Sequence, residues 1–257
     1  MDFSPYLLLA APFFGLLFGS FFNVCIDRGA EGRSIVRPGS ACESCGTRLR
    51  PHELVPVLSW LLLRGRCAHC GATVSVRYPV SELLAAILFT LVVRTYGASP
   101  ETLVYLVFTS IFFVASGIDL KTGLLFDRLT LPSAALALPA ALWLGHDPID
   151  TVVGGLAGWG LFRLVAWLFE RSTGREGLGL GDSKLMLSIG FLTGGMHLPM
   201  VVLLASLGAL AVFVALRSTG RDASELRLPF GPFLSGAAFV TWLAGDALWA
   251  AWLDLIL

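Results

Sequence analysis

Charged side chains are scarce in this sequence, and their scarcity argues against an ordinary soluble domain. Asp, Glu, Lys and Arg make up 14% of the 257 residues, hydrophobic residues make up 56%, and the mean hydropathy is +0.78. Soluble domains are roughly 25% charged and 45–50% apolar. The apolar excess is too large for a single core, so the sequence predicts many segments dissolved in lipid.

Two further absences narrow the class of protein. The chain has no dense cluster of basic residues of the kind that neutralises phosphates, so no nucleic-acid partner is expected. No basic region precedes the first apolar run, Tyr6–Ile26, and no small-residue cleavage site follows it. Because about 20 apolar residues suffice to cross a bilayer, we expect a retained transmembrane helix and not a cleaved signal peptide.

The apolar runs predict an all-α polytopic membrane protein with about eight transmembrane helices. Several runs after the first are shorter than a full span and contain Gly or Pro, which neighbouring helices make tolerable in lipid. These later runs are Val80–Val93, Leu103–Ile118, Leu129–Gly145, Thr151–Phe169, Lys184–Gly195, Leu198–Leu216 and Pro229–Leu257. The sixth span, Lys184–Gly195, is the weakest of the set.

The basic residues predict which connections share one side of the membrane. Eight of the 18 Lys and Arg residues lie between the first two spans, and most others follow the third, fifth and seventh spans. The connections on the opposite side contain Arg94 alone, and Arg163 falls inside a span. Cytoplasmic loops carry the excess of Lys and Arg. We therefore expect these basic connections to be cytoplasmic and both termini to face outward.

The first connection, roughly residues 27–78, is the only sizeable polar region. The sequence accordingly divides into a first transmembrane helix (1–26), a cytoplasmic loop domain (27–78) and a region with about seven further helices (79–257). A polar region of this size buries too little apolar surface to be stable unaided. We therefore expect a covalent or metal staple within it.

Four cysteines in two C-x-x-C pairs supply that staple. The pairs are Cys42–Cys45 and Cys67–Cys70, each followed by glycine. This spacing is typical of a structural zinc site with four thiolate ligands. Two disulfides are the alternative, but they rarely persist in the reducing cytoplasm. His69 lies inside the second pair, and we expect it to be solvated because four thiolates already fill the metal's coordination shell.

Two aspartates stand at the ends of predicted spans on the same side. Asp119 closes the third span, and Asp182 opens the sixth within Gly179-Leu180-Gly181-Asp182. Burying an ionisable group there is costly, which suggests a functional site, and the glycines permit close backbone approach. Two carboxyls that share a proton can supply a general base and an acid.

The alternative is that each aspartate only caps a helix at the membrane interface. We give this simpler interpretation to most other acidic residues near span ends, namely Asp127, Asp147, Asp150 and Glu170.

Short motifs run through nearly the whole chain, and their combination is highly specific. They are Gly19–Val24 (GSFFNV), Pro56–Trp60 (PVLSW) before Arg64–Cys67 (RGRC), Arg77–Pro79 (RYP) followed by Glu82, Asp119 through Asp127 to Thr130, Gly174–Gly177 (GREG) before Gly179–Lys184 (GLGDSK), and Pro229–Phe233 (PFGPF). In these motifs the chain resembles the type IV prepilin peptidases, which are bacterial GxGD aspartyl proteases.

The resemblance implies an activity and the residues that perform it. Asp119 and Asp182 would be the catalytic pair, supported by Gly179, Gly181 and Lys184 of the second motif. The substrate would be a type IV prepilin or a type II secretion pseudopilin with a short basic leader. Cleavage would follow a glycine at the cytoplasmic face of the bacterial inner membrane, which agrees with the orientation expected from the charges.

Most members of this family also N-methylate the new N-terminus with S-adenosylmethionine. Candidates for binding that methyl donor are Glu43, Arg77, Tyr78 and Glu82, although Glu82 could equally be a buried structural carboxylate. The chain departs from the family at Ser75-Val76, where Gly-Lys is common, and at Phe126, where proline is usual.

Three functions remain open from the sequence. The first is a bifunctional peptidase and methyltransferase. The second is a peptidase without methylation, which Ser75-Val76 could indicate. The third is a transporter in which Asp119 and Asp182 bind protons or ions.

Overall fold

The computed structural model describes residues 5–174, 177, 179–219 and 228–256, and every regular element in these ranges is helical. The elements are α1 (Pro5–Ala30), a short 3-10 helix (Pro51–Leu54), α2 (Leu58–Leu62), α3 (Arg77–Tyr96), α4 (Pro100–Thr122), α5 (Asp127–Trp143), α6 (Pro148–Thr173), α7 (Leu180–Ser218) and α8 (Gly231–Ile256). Some residues used in the sequence argument lie outside the described residues, namely Arg175, Glu176, Arg221, Arg227 and Leu257.

Six of the described helices are long and apolar enough to cross a membrane: α1, α3, α4, α6, α7 and α8. Their outer faces expose large apolar side chains, as Leu156, Leu164 and Trp167 do on α6. Exposed apolar surface of this extent fits contact with lipid and not with water. The prediction of an all-α, multi-pass membrane protein is confirmed.

Helix α7 contains two of the predicted spans. Its 39 residues would extend about 58 Å if straight, about twice the hydrocarbon thickness of a bilayer. Gly194 interrupts it with φ 74° and ψ 169°. A Cβ on Gly158 would lie 3.0 Å from the Met186 carbonyl and 3.2 Å from a Leu198 methyl. Along a straight helix, Met186 and Leu198 would be about 18 Å apart.

The α7 chain therefore folds back at Gly194 into two packed halves. These halves correspond to the predicted sixth and seventh spans. Together with α5, whose 17 residues contain Pro132 and Pro139, they bring the number of long helical segments in the described chain to eight.

The chain forms two compact units, residues 1–110 and 111–257, with α4 running from the first into the second. In the first unit α1 packs against α3. Gly15 and Gly19 make this packing close, since a Cβ on Gly19 would lie 2.8 Å from the Glu82 Cα. The cysteine-containing connection lies between these two helices in the sequence.

In the second unit α7 packs against α5, α6 and α8. Glycines allow the backbones of α6 and α7 to touch, because a Cβ on Gly154 would lie 2.5 Å from the Gly190 carbonyl. Gly154 therefore serves the packing of these two helices. Leu185, Met186 and Ile189 on the first half of α7 are fully buried. The helix that begins at the Gly-x-Gly-Asp motif is therefore the centre of this unit.

Candidate active site and metal centre

Asp119 is a buried carboxyl in the last turn of α4, with 4% of its surface exposed. The C-terminal end of a helix carries partial negative charge and disfavours an acidic residue. The N-terminus of α8 offsets this unfavourable interaction, because its first residue, Gly231, donates its backbone N–H to Asp119 Oδ2 over 2.9 Å. A Cβ on this residue would lie 2.7 Å from that oxygen, so a larger side chain would displace the carboxyl group.

Asp182 is the third residue of α7 and is 8% exposed. Its carboxylate accepts a hydrogen bond from the backbone N–H of Gly179, the residue that caps the helix. This is one half of a capping box, in which the third residue reaches back to the cap. Asp182 thus performs the simple capping role that the sequence left open. It also interacts electrostatically with Asp119, so the structure brings the two predicted aspartates together.

Leu125, in the connection between α4 and α5, contacts both helix starts that hold these carboxyls. A Cβ on Gly181 would lie 2.5 Å from Leu125 Cβ and 2.8 Å from its carbonyl oxygen. Two Leu125 methyls lie 3.3 Å from where a Cβ on Gly231 would stand. Because Gly181 and Gly231 have no side chains, Leu125 can pack against the starts of both helices that hold the two carboxyls.

The arrangement suits acid–base chemistry between two carboxyls. Two buried carboxyl groups that interact do not both ionise easily, so one retains a proton while the other is a carboxylate. Each oxygen pair receives one backbone N–H donor, from Gly231 or Gly179. The remaining lone pairs can accept a hydrogen bond from water or polarise a carbonyl group.

Other acidic residues near span ends have separate partners. Asp147 caps α6 by accepting the Asp150 N–H at 2.7 Å, as the helix-capping interpretation predicts. Asp150 in turn accepts the Met196 N–H at 3.2 Å, just beyond the Gly194 turn. Asp127, the first residue of α5, forms an ion pair with Lys184, whose Nζ lies 2.5 Å from Asp127 Oδ1. The sequence did not predict this pairing.

The four cysteines converge, and the two C-x-x-C segments have equivalent backbones. In the first, Gly46 N–H donates to the Cys42 carbonyl at 2.8 Å; in the second, Gly71 N–H donates to the Cys67 carbonyl at 2.9 Å. Gly46 and Gly71 adopt φ 70° and 72°, a conformation that favours glycine. Each segment is therefore a tight turn that directs two thiols to one point.

The thiol positions fit a tetrahedral metal ion. All four Sγ atoms lie within 4.8 Å of one another, and those of Cys42 and Cys70 are 3.9 Å apart. Four sulfurs at about 2.3 Å from zinc would be about 3.8 Å apart. The backbone N–H groups of Cys70 and His69 donate toward the Cys67 sulfur and lower the pKa of that thiol, which favours the thiolate that a metal requires. The cluster can therefore hold a metal ion.

His69 is not simply solvated, contrary to the expectation from the sequence. Its Nε2 lies 3.2 Å from Glu53 Oε1, and Glu53 is almost completely buried by surface area. The Arg50 N–H donates to Glu53 at 2.6 Å, and this bond, with His69, lowers the pKa of the Glu53 carboxyl. A local carboxylate, which the sequence argument did not consider, holds the imidazole beside the cysteine turn.

Two of the methyl-donor candidates contact a residue that the sequence analysis missed. Asp27, near the end of α1, accepts hydrogen bonds from Arg77 Nη2 at 2.6 Å and from the Tyr78 hydroxyl at 3.0 Å. The Arg77 guanidinium also lies 5.1 Å from the centre of the Tyr78 ring, and Glu43 acts electrostatically on Tyr78. The position of Asp27, an acidic residue at the end of the first predicted span, could have identified it from the sequence.

Glu82 has a structural partner in the same unit. Its Oε2 accepts the Val57 N–H at 2.7 Å, and its carboxylate also bonds to the Ser20 side chain. Val57 has φ 59° and ψ −50°, a strained conformation for a β-branched residue. Glu82 therefore ties α1 and α3 to the turn that precedes α2, the structural role that the sequence allowed for it.

The fold and the site together define a polytopic membrane protein with a buried aspartate pair and a four-cysteine cluster that can hold a metal ion. The profile of the bacterial peptidase A24 N-terminal domain matches residues 13–96, and that of the type IV leader peptidase family matches residues 106–214. The chain belongs to this family of prepilin leader peptidases, as its resemblance in the sequence motifs predicts.

Its similarity to curated relatives extends over nearly the full length. A prepilin leader peptidase/N-methyltransferase of Pseudomonas putida is 36% identical, with 98% of this chain and 95% of the relative covered. Proteins of the same name from Aeromonas salmonicida strain A449 and Neisseria gonorrhoeae are 35% and 34% identical. The alignments cover 98% and 96% of this chain, and 96% and 94% of those relatives. No solved structure matches the chain.

Proposed function

We propose that this protein removes the leader peptide of type IV prepilins or type II secretion pseudopilins and then methylates the new N-terminus. The observation that carries the proposal is the buried pair of Asp119 and Asp182, each held by a helix N-terminus and coupled to the other by charge. Membership of the type IV leader peptidase family supports the same reaction.

In cleavage, one carboxylate of the pair accepts a proton from water, and the oxygen of that water attacks the scissile carbonyl carbon. The other, protonated carboxyl donates a hydrogen bond to the carbonyl oxygen and stabilises the tetrahedral intermediate. A proton then passes to the leaving amine as the carbon–nitrogen bond breaks. Gly179, Gly181 and Gly231 keep the backbone donors close to the two carboxyls.

For methylation, we propose S-adenosylmethionine as donor, with Arg77, Tyr78 and Glu43 in its site. A guanidinium suits the donor's carboxylate, and a carboxylate or aromatic face suits its cationic groups. Asp27 orients both Arg77 and Tyr78, while Glu82 braces the fold around them. The bound donor would supply an electrophilic methyl group to the new amino terminus.

We further propose that the ion held by Cys42, Cys45, Cys67 and Cys70 is a structural zinc. The closed set of four thiolates supports a structural site and leaves no ligand position open for catalysis. Protein prepared without added metal should contain about one zinc per chain, because a closed thiolate site retains its metal through purification. Two disulfides and no metal would contradict this assignment.

The orientation that we propose places both termini in the periplasm and the aspartates at the cytoplasmic face of the inner membrane. The bias of Lys and Arg toward alternate connections supports it. In this orientation the aspartates lie on the same side of the membrane as the basic leader of a prepilin.

The proposed function is tested with purified full-length protein, a purified prepilin and isotopically labelled S-adenosylmethionine. Wild-type protein should release the leader and label the mature N-terminus. Asp119→Asn and Asp182→Asn should each abolish cleavage yet still methylate a prepilin that has already been cut, because the proposed donor site lies on other residues.

Each other outcome selects a different function. Leader removal by either aspartate variant would contradict the catalytic assignment. Cleavage without methyl transfer by the wild-type protein would identify a peptidase without the second activity. Proton or ion transport into vesicles, with no cleavage, would favour the transporter.

A further inference from the structure

Lys184 lies where a cation is electrostatically unfavourable. It stands in the second turn of α7, near the positive end of the helix dipole, two residues after Asp182. Its Nζ lies 2.5 Å from Oδ1 of Asp127, and Asp127 occupies the first position of α5, where a negative charge is favoured. The ion pair therefore joins the N-terminal ends of two helices, through residues 57 positions apart in the sequence.

The α4–α5 connection, which this ion pair anchors to α7, contacts the two glycines next to the aspartates. Leu125 precedes Asp127 by two residues and packs against Gly181 and Gly231. Gly181 is bonded directly to Asp182, and the Gly231 N–H donates to Asp119. A displacement of α5 relative to α7 would therefore move Leu125 against the two glycines that place the carboxyls.

The solvent exposure of Lys184 and Asp127 indicates that their ion pair affects geometry more than folding stability. The side chains of Lys184 and Asp127 are 29% and 58% exposed. Ion pairs with such exposure contribute little to folding stability. Catalytic rates, in contrast, depend steeply on the placement of reacting groups, and an error of about 1 Å can cost about 100-fold.

We propose that Lys184 and Asp127 are positioning residues for prepilin cleavage: their ion pair fixes the start of α7 against the α4–α5 connection and thereby holds Asp182 in register with Asp119. This inference rests on the proposed function of the two aspartates. It assigns Asp127 a role in the reaction that its position at a helix end did not indicate, and this role requires no contact with the substrate.

The test measures kcat and KM separately, with full-length protein and a purified prepilin. Lys184→Met and Asp127→Asn should each lower kcat by about tenfold or more and change KM by less than about threefold, because the pair is displaced while the substrate surface is retained. The kcat of the double variant should be no lower than that of the less active single variant, since either change removes the same interaction. Lys184→Arg keeps the cation and should restore kcat to within about threefold of wild type.

Arg128→Met is the matched control. It removes an exposed cation from the residue next to Asp127 and should leave kcat and KM unchanged. Melting temperatures are measured for every variant, and those of Lys184→Met and Asp127→Asn should stay close to wild type. Asp127→Asn, a change on an exposed side chain, keeps the proposal testable if Lys184→Met does not fold.

Wild-type kinetics in both single variants would overturn the positioning role, and so would either of two kinetic patterns. One is a higher KM with unchanged kcat in Lys184→Met and wild-type kinetics in Asp127→Asn, which would place Lys184 on the substrate. The other is a pair of losses that multiply in the double variant. Asp182→Asn is assayed alongside: its cleavage of prepilin would remove the proposed site itself, whereas its inactivity beside fully active Lys184→Met and Asp127→Asn would reject only the ion pair.

Discussion

At the scale of single residues, the two aspartates occupy electrostatically different helix ends. Asp182 lies in the first turn of its own helix, where a carboxylate is favoured, and Asp119 lies in the last turn of its helix, where it is disfavoured. The N-terminus of α8 offsets this through Gly231. Asp119 therefore depends on an element 112 positions away in the sequence for its backbone donor.

Gly181→Ala tests the contact beneath the pair. The added Cβ would lie 2.5 Å from Leu125 Cβ, well inside the roughly 3.5 Å at which carbon atoms pack. The first turn of α7 must then shift, with Asp182 in it. We expect cleavage to fall by more than about tenfold and stability to fall by about 1–3 kcal/mol, as in other overpacked sites. Single-turnover cleavage and thermal melting measure both.

Gly160→Ala is the control for this substitution, because a Cβ on Gly160 meets no atom within 4 Å. Replacing a helical glycine by alanine favours the helix by about 0.5–1 kcal/mol. The control should keep full activity at equal or higher stability. Wild-type cleavage by Gly181→Ala would show that the Leu125 contact is dispensable.

The limits of prediction at this scale follow from distance along the chain. The Gly-x-Gly-Asp glycines were expected to allow close approach, and the structure shows which atoms approach Gly181. The Pro-Phe-Gly-Pro motif was visible in the sequence, but no local pattern links Gly231 to Asp119. The ion pair of Lys184 with Asp127 was missed for the same reason: each residue satisfies a local interpretation by itself.

At the scale of elements, the fold-back of α7 depends on one glycine. Gly194 has φ 74° and ψ 169°, a region that is essentially restricted to glycine and costs other residues about 1–3 kcal/mol. The Asp150 carboxylate fills the space beside it and accepts the Met196 N–H at 3.2 Å, which satisfies the start of the second half. Backbone groups at such a break lack partners within the helix, and this carboxylate supplies one.

Gly194→Ala should destabilise the protein strongly. The added methyl is strained by the backbone conformation and also overlaps the Asp150 carboxylate. The summed effect of strain and overpacking is about 2–6 kcal/mol, enough to remove much of the stability of a typical domain. Yield of monodisperse protein in detergent and thermal melting are the measurements.

The matched control lies on the same helix. A Cβ on Gly208 would meet one Phe233 ring atom at 3.4 Å, which is ordinary contact. Gly208→Ala should therefore behave like the wild type. Equal stability of Gly194→Ala and Gly208→Ala would refute the fold-back at Gly194.

The sequence anticipated these elements unevenly. Apolar length located the spans well, but the run Lys184–Gly195 looked too short because the helix begins earlier, at Leu180, and its first turn is polar. Cysteine spacing predicted a site of four thiolates, and the structure brings the four sulfurs together. The pairing of His69 with Glu53 could not be read from the spacing, since it depends on how the loop packs around the cysteines.

At the scale of the whole molecule, charge distribution sets the proposed orientation. Ile149→Cys lies at the start of α6, where the native side chain is 75% exposed, and Arg128→Cys lies near the start of α5. In spheroplasts, an impermeant maleimide should label position 149 directly and position 128 only after the membrane is permeabilised. The protein without an introduced cysteine measures the background labelling of the native cysteines. Labelling in the opposite order would reverse the orientation.

The class of fold followed from composition because lipid imposes one severe constraint, that backbone groups be satisfied within helices. The choice of the proposed catalytic aspartates did not follow from composition. Asp119 and Asp127 look alike in the sequence, and only the family resemblance favoured Asp119. The structure distinguishes them physically: Asp119 is buried beside Asp182, whereas Asp127 is exposed and paired with Lys184.

Single-turnover prepilin cleavage by Asp119→Asn, Asp182→Asn and the double variant shows whether Asp119 and Asp182 act as one catalytic unit. Groups that act as a unit are strongly non-additive. We expect each single variant to lose at least about 1,000-fold, on the scale found for other catalytic units, and the double variant to lose no more than either. Substantial cleavage by either single variant would show that the replaced aspartate is not catalytic.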